Sequence, residues 1–213
     1  MKNLVIIGTG GFAREVFWNA QMASGFDSEW RFKGFLDGDT KLAAEEYAKL
    51  PEGEKILGDI NNYEIDADDV FTCAVGTPEV RKKLIDKILA RGGQFINIIS
   101  ERATIFAASK IGNGVIIGLG SGISDHVDFG DFSVINSIST IAHDVKIGKY
   151  TCIMSHVDIC GGAHIGDEVF IGSHAVILPH ATVGNGAHIS PGSVILKKVN
   201  AGVKVIGNPA IEF

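Results

Sequence analysis

Two hydrophobic rhythms divide the chain. Over residues 1–98, short apolar runs alternate with stretches of helical period. Leu4–Ile7, Phe32–Asp37, Val70–Val75 and Phe95–Ile98 read as strands, and Phe12–Ala23 and Pro78–Arg91 as helices. Strands separated by helix-length segments predict a parallel sheet, because parallel neighbours need a crossover connection. Pro78 suits a first helical turn, where its missing N–H loses no bond. Thr40–Asn62 is weakly patterned and predicts no element.

From Ile105 the period becomes six. Ile105, Ile111, Ile117, Ile123, Phe129, Ile135 and so on to Ile195 make sixteen positions in register without an insertion, fourteen of them Ile. Two residues before each stands a small or β-branched residue, from Ala103 and Ser109 to Ala187 and Ser193. One bulky and one small inward residue per hexad describes short strands joined by turns and wound into a triangular parallel β-helix, three hexads to a coil. Glycine often follows the Ile, as at Gly112, Gly130, Gly148 and Gly166. A tight corner there tolerates little side chain or wants unusual dihedrals. The fold class expected is therefore an α/β N-terminal domain with a small Rossmann-like parallel sheet, residues 1–98, followed by an all-β parallel β-helix, residues 99–213.

Composition narrows the function classes. The net charge is −6 and the nineteen Lys and Arg are scattered, so neither nucleic acid nor an acidic membrane surface is an expected partner. The opening apolar run is too short for a signal h-region or a membrane span, which predicts a cytoplasmic protein. Cys73, Cys152 and Cys160 form no CxxC pair and leave an odd count, against a disulfide framework or structural zinc.

The [LIV]-G-x4 hexads resemble those of the left-handed β-helix acyltransferases. With the α/β domain ahead and GNPA at Gly207–Ala210 behind, the whole chain is similar to bacterial sugar acetyltransferases of glycan synthesis. The resemblance implies a left-handed coil, acetyl-CoA as acyl donor, no metal, and a homotrimer with sites between neighbouring prisms. The activity it implies is N-acetylation of the 4-amino group of a nucleotide-linked sugar, in glycan or surface polysaccharide biosynthesis.

All seven histidines lie in the solenoid half. His126, His156, His174 and His180 take the third position after the core residue and His164 and His188 the fifth, a recurrence that suggests surface ladders. His143 alone takes the second, followed by Asp144. Acetylation needs a group that accepts a proton as the nucleophile attacks, and a neutral imidazole oriented by a carboxylate suits it. Ser139–Gly148 resembles the family's catalytic turn, which makes His143 the general base and Asp144 its tuning partner, although some members carry Glu there. Gly161, eighteen residues on, is expected about 4.8 Å along the axis on the same corner, where its N–H could donate to a developing oxyanion. The same resemblance puts acyl-CoA contacts at Cys152, Gly161, Ser173 and Pro191.

Gly8, Gly10 and Ala13 satisfy G-x-G-x-x-G/A between a strand and a helix, a context that admits NAD but equally any pyrophosphate. The resemblance selects the nucleotide of a nucleotide sugar rather than NAD. It carries substrate contacts onto Gly10, Gly11, Phe12, Asp37, Gly38, Gly76 and Thr77. Many members have His where this chain has Phe12. Three rival readings stand beside this one. They are O-acetylation of sialic acid or another sugar hydroxyl, a β-helical carbonic anhydrase using the His156–His174 ladder, and a nucleotide-binding scaffold with an inactive prism.

Overall fold

The computed structural model describes residues 1–37, 49–51, 53 and 55–213. The chain divides into two compact units, Met1–Ile98 and Ile99–Phe213. In the first, β1 (Lys2–Ile7), β2 (Trp30–Asp37), β3 (Ile56–Asp59), β4 (Asp69–Cys73) and β5 (Gln94–Phe95) form one sheet in the order β3-β2-β1-β4-β5. Every pair in it is parallel. Helix α1 (Gly11–Gln21) follows β1, and α2 (Pro78–Leu89) follows β4. The central strands are continuous apolar runs because both faces are covered, and Leu4 to Ile7 are fully buried.

Two expectations change here. β3 arises in the weakly patterned stretch; as an edge strand it is only half-buried, so it needs no apolar run. The run Phe95–Ile98 is not one strand. Gln94–Phe95 closes the sheet, whereas Ile98–Ile99 joins a different sheet beside Ile116–Ile117. The reason is register: Ile99 stands six residues before Ile105 and already belongs to the hexad rhythm.

A polar tie crosses the first sheet. Lys33 on β2 bonds Asp66 and Asp69 at 2.7 Å each, and the Tyr63 hydroxyl donates to Asp69 at 2.7 Å. Burial pushes the Asp69 carboxyl up, but the bonds from Lys33, Tyr63 and the Asp66 N–H outweigh it and leave it below its ordinary value.

The second unit is a parallel β-solenoid of two-residue strands stacked on three faces. Using one coil as the example, the first face holds Val134–Ile135, the second Thr140–Ile141 and the third Lys146–Ile147, and each strand pairs with the one eighteen residues later. The core Ile side chains fill the interior, nearly all 5 % exposed or less, together with the small row two residues before them. Serine and threonine stand in that row with most of their hydroxyls bonded, the buried Ser133 Oγ being without a partner. Ser139 Oγ donates to the Met154 carbonyl at 2.9 Å and accepts from Val157 N–H at 3.1 Å, and Thr151 does the same with Gly166 and Val169. After Ile195 the repeat loses two residues, so Thr182 pairs with Lys198, sixteen away.

The glycines after the core residues serve close approach and not unusual dihedrals. A Cβ on Gly130 would stand 2.6 Å from the carbonyl carbon of Gly148 in the next coil. The left-handed conformation falls two residues further on, at the third position. There His126, Phe132, Ile138, Asp144, Tyr150, His156, Glu168, His174 and His180 all have φ between 54° and 61°.

Candidate active site

The three corners of the prism use the same hexad positions for different ends. At the corner between the third and first faces, the second-position side chains cap the coil below. Asp131 Oδ1 accepts from Asn113 N–H at 3.0 Å, Asp167 Oδ1 from Lys149 N–H at 2.8 Å, and Asn185 Oδ1 from Asp167 N–H at 3.0 Å. This seam satisfies backbone donors that the strands leave over.

The corner between the second and third faces is built otherwise. Rising along the axis, it presents Asp125-His126, His143-Asp144, Gly161-Gly162 and Pro179-His180, each pair eighteen residues from the next. His143 Nδ1 donates to Asp144 Oδ2 at 2.8 Å, which leaves Nε2 free to accept a proton. The shorter Asp therefore reaches the ring. Its left-handed backbone, φ 60°, turns the carboxylate back toward the preceding residue. The His143 imidazole holds the Asp144 carboxyl below the usual carboxylate range, and the imidazoles of His126 and His180 add to that effect.

Gly161 lies directly above His143. A Cβ on it would come within 2.7 Å of His143 Cε1 and 2.8 Å of Nε2, so only glycine leaves the ring in place. Gly162 N–H donates to the His143 carbonyl at 2.9 Å, fixing the two coils together. Among the described residues no acceptor faces the Gly161 N–H. The Gly161-Gly162 pair is thus a gap in an otherwise occupied ladder. The His180 ring leans over it from the coil above, where a Cβ on Gly162 would collide with it.

Beside this corner the second face carries a hollow of about 550 Å³, lined among others by Gly122, Ser124, Thr140, Ala142, Asp158 and Cys160. Thr140 Oγ1 donates to the Asp158 carboxylate within it. Burial pushes the Cys160 thiol up and Asp158 adds to this, which keeps that sulfur protonated at neutral pH.

The residues expected to contact acyl-CoA are not gathered in one place. Gly161 shares His143's corner. Ser173 and Pro191 share the corner between the first and second faces, on successive coils joined by the Gly192 N–H to Ser173 carbonyl bond at 2.8 Å. Cys152 pairs with Val134 and Phe170 on the first face and is fully buried. On Ser173's corner His156 and His174 stack at 4.7 Å with rings 7° from parallel, so their nitrogens do not converge on a point. Among the described residues no group of three or more His, Cys, Asp or Glu could hold a metal.

In the first unit the expected substrate contacts do come together. The strand order reverses between β1 and β4, and ligands of open α/β sheets bind outside the carboxyl ends of the strands at such a point. Gly10, Gly11 and Phe12 follow β1, Gly76 and Thr77 follow β4, and Asp37 ends β2, where it is 8 % exposed. Gly8, at φ 109°, lies so close to β4 that a Cβ would stand 2.9 Å from the Ala74 carbonyl oxygen. No side chain caps the N-terminus of α1 and no acidic residue occupies its first turn, which leaves an uncompensated positive helix end. Gly38 lies outside the described residues. No helix among the described residues is long and apolar enough to cross a membrane.

Sequence reasoning grouped His126 and His180 with the surface ladders. The structure shows them on His143's own corner, and the signal was available as Asp125-His126 standing eighteen residues before His143-Asp144.

Comparison with known proteins agrees with both units. Residues 3–88 match the PglD N-terminal domain, and residues 162–197 match the bacterial transferase hexapeptide model of six repeats. Each of the two units therefore matches a family model of its own. The chain shares its fold over its full length with the acetyltransferase domain of PglB from Neisseria gonorrhoeae FA1090 in complex with acetyl coenzyme A, at 26% identity and TM-score 0.85, covering 99% of that chain. It shares it equally with WeeI from Acinetobacter baumannii AYE, at 28% identity and TM-score 0.87, with 100% of both chains covered. A curated relative, GDP-perosamine N-acetyltransferase of Escherichia coli O157:H7, is 35% identical over 80 residues. That match spans 38% of this chain and 36% of the relative, about a third of its length.

Proposed function

We propose that this protein transfers the acetyl group of acetyl-CoA to the 4-amino group of a nucleotide-linked amino sugar, with His143 as general base. The observation that carries the reading is the His143–Asp144 pair with Gly161 stacked on its ring, a glycine whose Cβ would strike the imidazole and whose N–H has no acceptor among the described residues. His143 Nε2 takes a proton as the amine forms its bond to the thioester carbonyl carbon. Asp144 holds the tautomer and stabilises the imidazolium. The Gly161 N–H donates to the carbonyl oxygen as it gains charge. When the C–S bond breaks, the proton on His143 can pass to the departing thiolate, which restores the base.

The first unit serves acceptor recognition. Its uncapped α1 terminus and the loops after β1, β2 and β4 suit a nucleotide diphosphate, and the name of the curated relative makes GDP-perosamine the first acceptor to try. Asp37, Gly76 and Thr77 contribute to this site, as does Phe12 in the first turn. A homotrimer completes the second site. Gly161 and the Ser173–Pro191 pair occupy different corners, and a C3 ring would set one copy's corner against its neighbour's. The mass in solution should then be three times the chain's 22.6 kDa. The enzyme works in the cytoplasm, where both substrates are found.

The test is release of free CoA thiol from acetyl-CoA against GDP-perosamine, other nucleotide 4-amino sugars and free sialic acid. Turnover on a nucleotide amino sugar supports the proposal. Turnover on sialic acid alone replaces it with O-acetylation, and silence on every acceptor overturns it.

A further inference from the structure

The first unit buries a cation that the proposed chemistry does not use. Arg81 on α2 is 0 % exposed, and among the described residues it is the one Lys or Arg that is buried. It shares a helix face with Leu84, Ile85 and Ile88, where the spacing asks for an apolar side chain. Taking a guanidinium out of water is costly unless its donors are bonded, so what those donors hold is informative.

One of them holds the end of a strand. The ladder between β4 and β5 stops at Phe71, which pairs with Phe95 and whose carbonyl accepts from Ile96 N–H at 3.0 Å. Cys73 lies two residues further along the same side of β4, beyond the last pair. Arg81 Nη1 donates to its carbonyl. On the opposite side, Ala74 N–H donates to the Ile7 carbonyl at 2.7 Å, and the Ala74 carbonyl oxygen lies against Gly8. The backbone at Cys73 and Ala74 is therefore gripped from both sides. The turn that it opens runs through Gly76 and Thr77 into Pro78, the first residue of α2.

We infer that Arg81 is a positioning residue for the acceptor's nucleotide: its side chain ties the start of α2 to the end of β4 and so fixes Gly76 and Thr77 where the strand order reverses. This rests on the first unit being the acceptor site. The Arg81 N–H also donates to the Thr77 carbonyl at 2.8 Å, but that bond belongs to the helix and survives any change of side chain except proline. Thr77 itself makes no side-chain capping bond. The guanidinium bond joins helix to strand across the turn. A turn held in this way meets a nucleotide already arranged, without the cost of ordering a loose segment on binding.

The experiment compares the full-length protein with Arg81→Met, which keeps an apolar chain without a donor, and Arg81→Lys, which keeps the charge and a donor. Binding of GDP, UDP and dTDP and of acetyl-CoA is followed by calorimetry, and kcat and KM are measured with the best nucleotide amino sugar. Arg81→Met should weaken nucleotide binding and raise the acceptor KM about tenfold, with acetyl-CoA affinity and kcat at saturating acceptor unchanged. Arg81→Lys should restore part of this and leave a loss of about threefold. A side chain that served stability alone would lower the unfolding temperature without separating the two substrates. Nucleotide affinity equal to wild type in Arg81→Met overturns the inference, and so does a parallel loss of acetyl-CoA binding. Should Arg81→Met fail to fold, undiminished nucleotide affinity in Arg81→Lys overturns it. A wild type that binds no nucleoside diphosphate would instead remove the acceptor reading of the first unit, and the inference with it.

Discussion

Two corners of one prism carry the same hexad geometry and opposite chemistry. At one, the second-position side chains of Asp131, Asp167 and Asn185 reach down to cap the backbone N–H of the previous coil. From Asp125 to His180, the same positions spend nothing on capping. Gly161 and Pro179 cannot cap, and His143 turns sideways to Asp144. The difference teaches that a β-solenoid is held by its interior Ile column and its strand ladders, which leaves corner side chains free to vary. One corner adds stability with that freedom, while another leaves the Gly161 N–H without an acceptor beside the His143–Asp144 pair.

Substitutions at the two corners should therefore fail in different ways. After loss of His143 itself, the largest effect is expected at Gly161→Ala. The added methyl meets the His143 ring, and displacement of a base by about 1 Å costs about a hundredfold in kcat. Thermal unfolding should barely change. A variant that unfolds early but turns over normally would erase the distinction between corners. Asp69→Asn in the first unit is the control for a carboxylate that holds structure. Loss of its bonds to Lys33 and Tyr63 should cost about 2 kcal/mol of stability at pH 7 in urea unfolding. Because the folded Asp69 value is depressed, its contribution is present above the unfolded carboxylate value near ~4 and is lost as pH falls through the folded value. The gap between variant and wild type should then narrow at pH 3. The smallest effect belongs to the capping corner. Asp167→Ala removes the acceptor for Lys149 N–H and should cost about 1 kcal/mol, with kcat/KM unchanged.

The solenoid was legible because its signal is redundant: sixteen hexads in register can be misread at one position without losing the coil. The His143–Asp144 pair was legible through its odd hexad position and its acidic neighbour. What escaped has physical reasons. β3 is a half-exposed edge strand, so no apolar run announces it. The glycines after each Ile admitted two readings, little room for a side chain or unusual dihedrals, and the structure has the first. The left-handed backbone falls two residues later, on His, Asp, Phe and Tyr. The Asp125–His126 pair was hidden by sorting histidines by position within the hexad. Sorting residues by eighteen would have set it beneath the base. The separation of Ser173 and Pro191 from Gly161 follows from counting hexads to the corner, a step that motif matching omits.

The most direct measurement compares wild type with His143→Ala on the best nucleotide amino-sugar acceptor, with acetyl-CoA binding followed by calorimetry in both. The account predicts that kcat falls by roughly 10²–10⁴-fold while acetyl-CoA affinity and thermal stability stay at wild-type values. Undiminished turnover in the variant would contradict it.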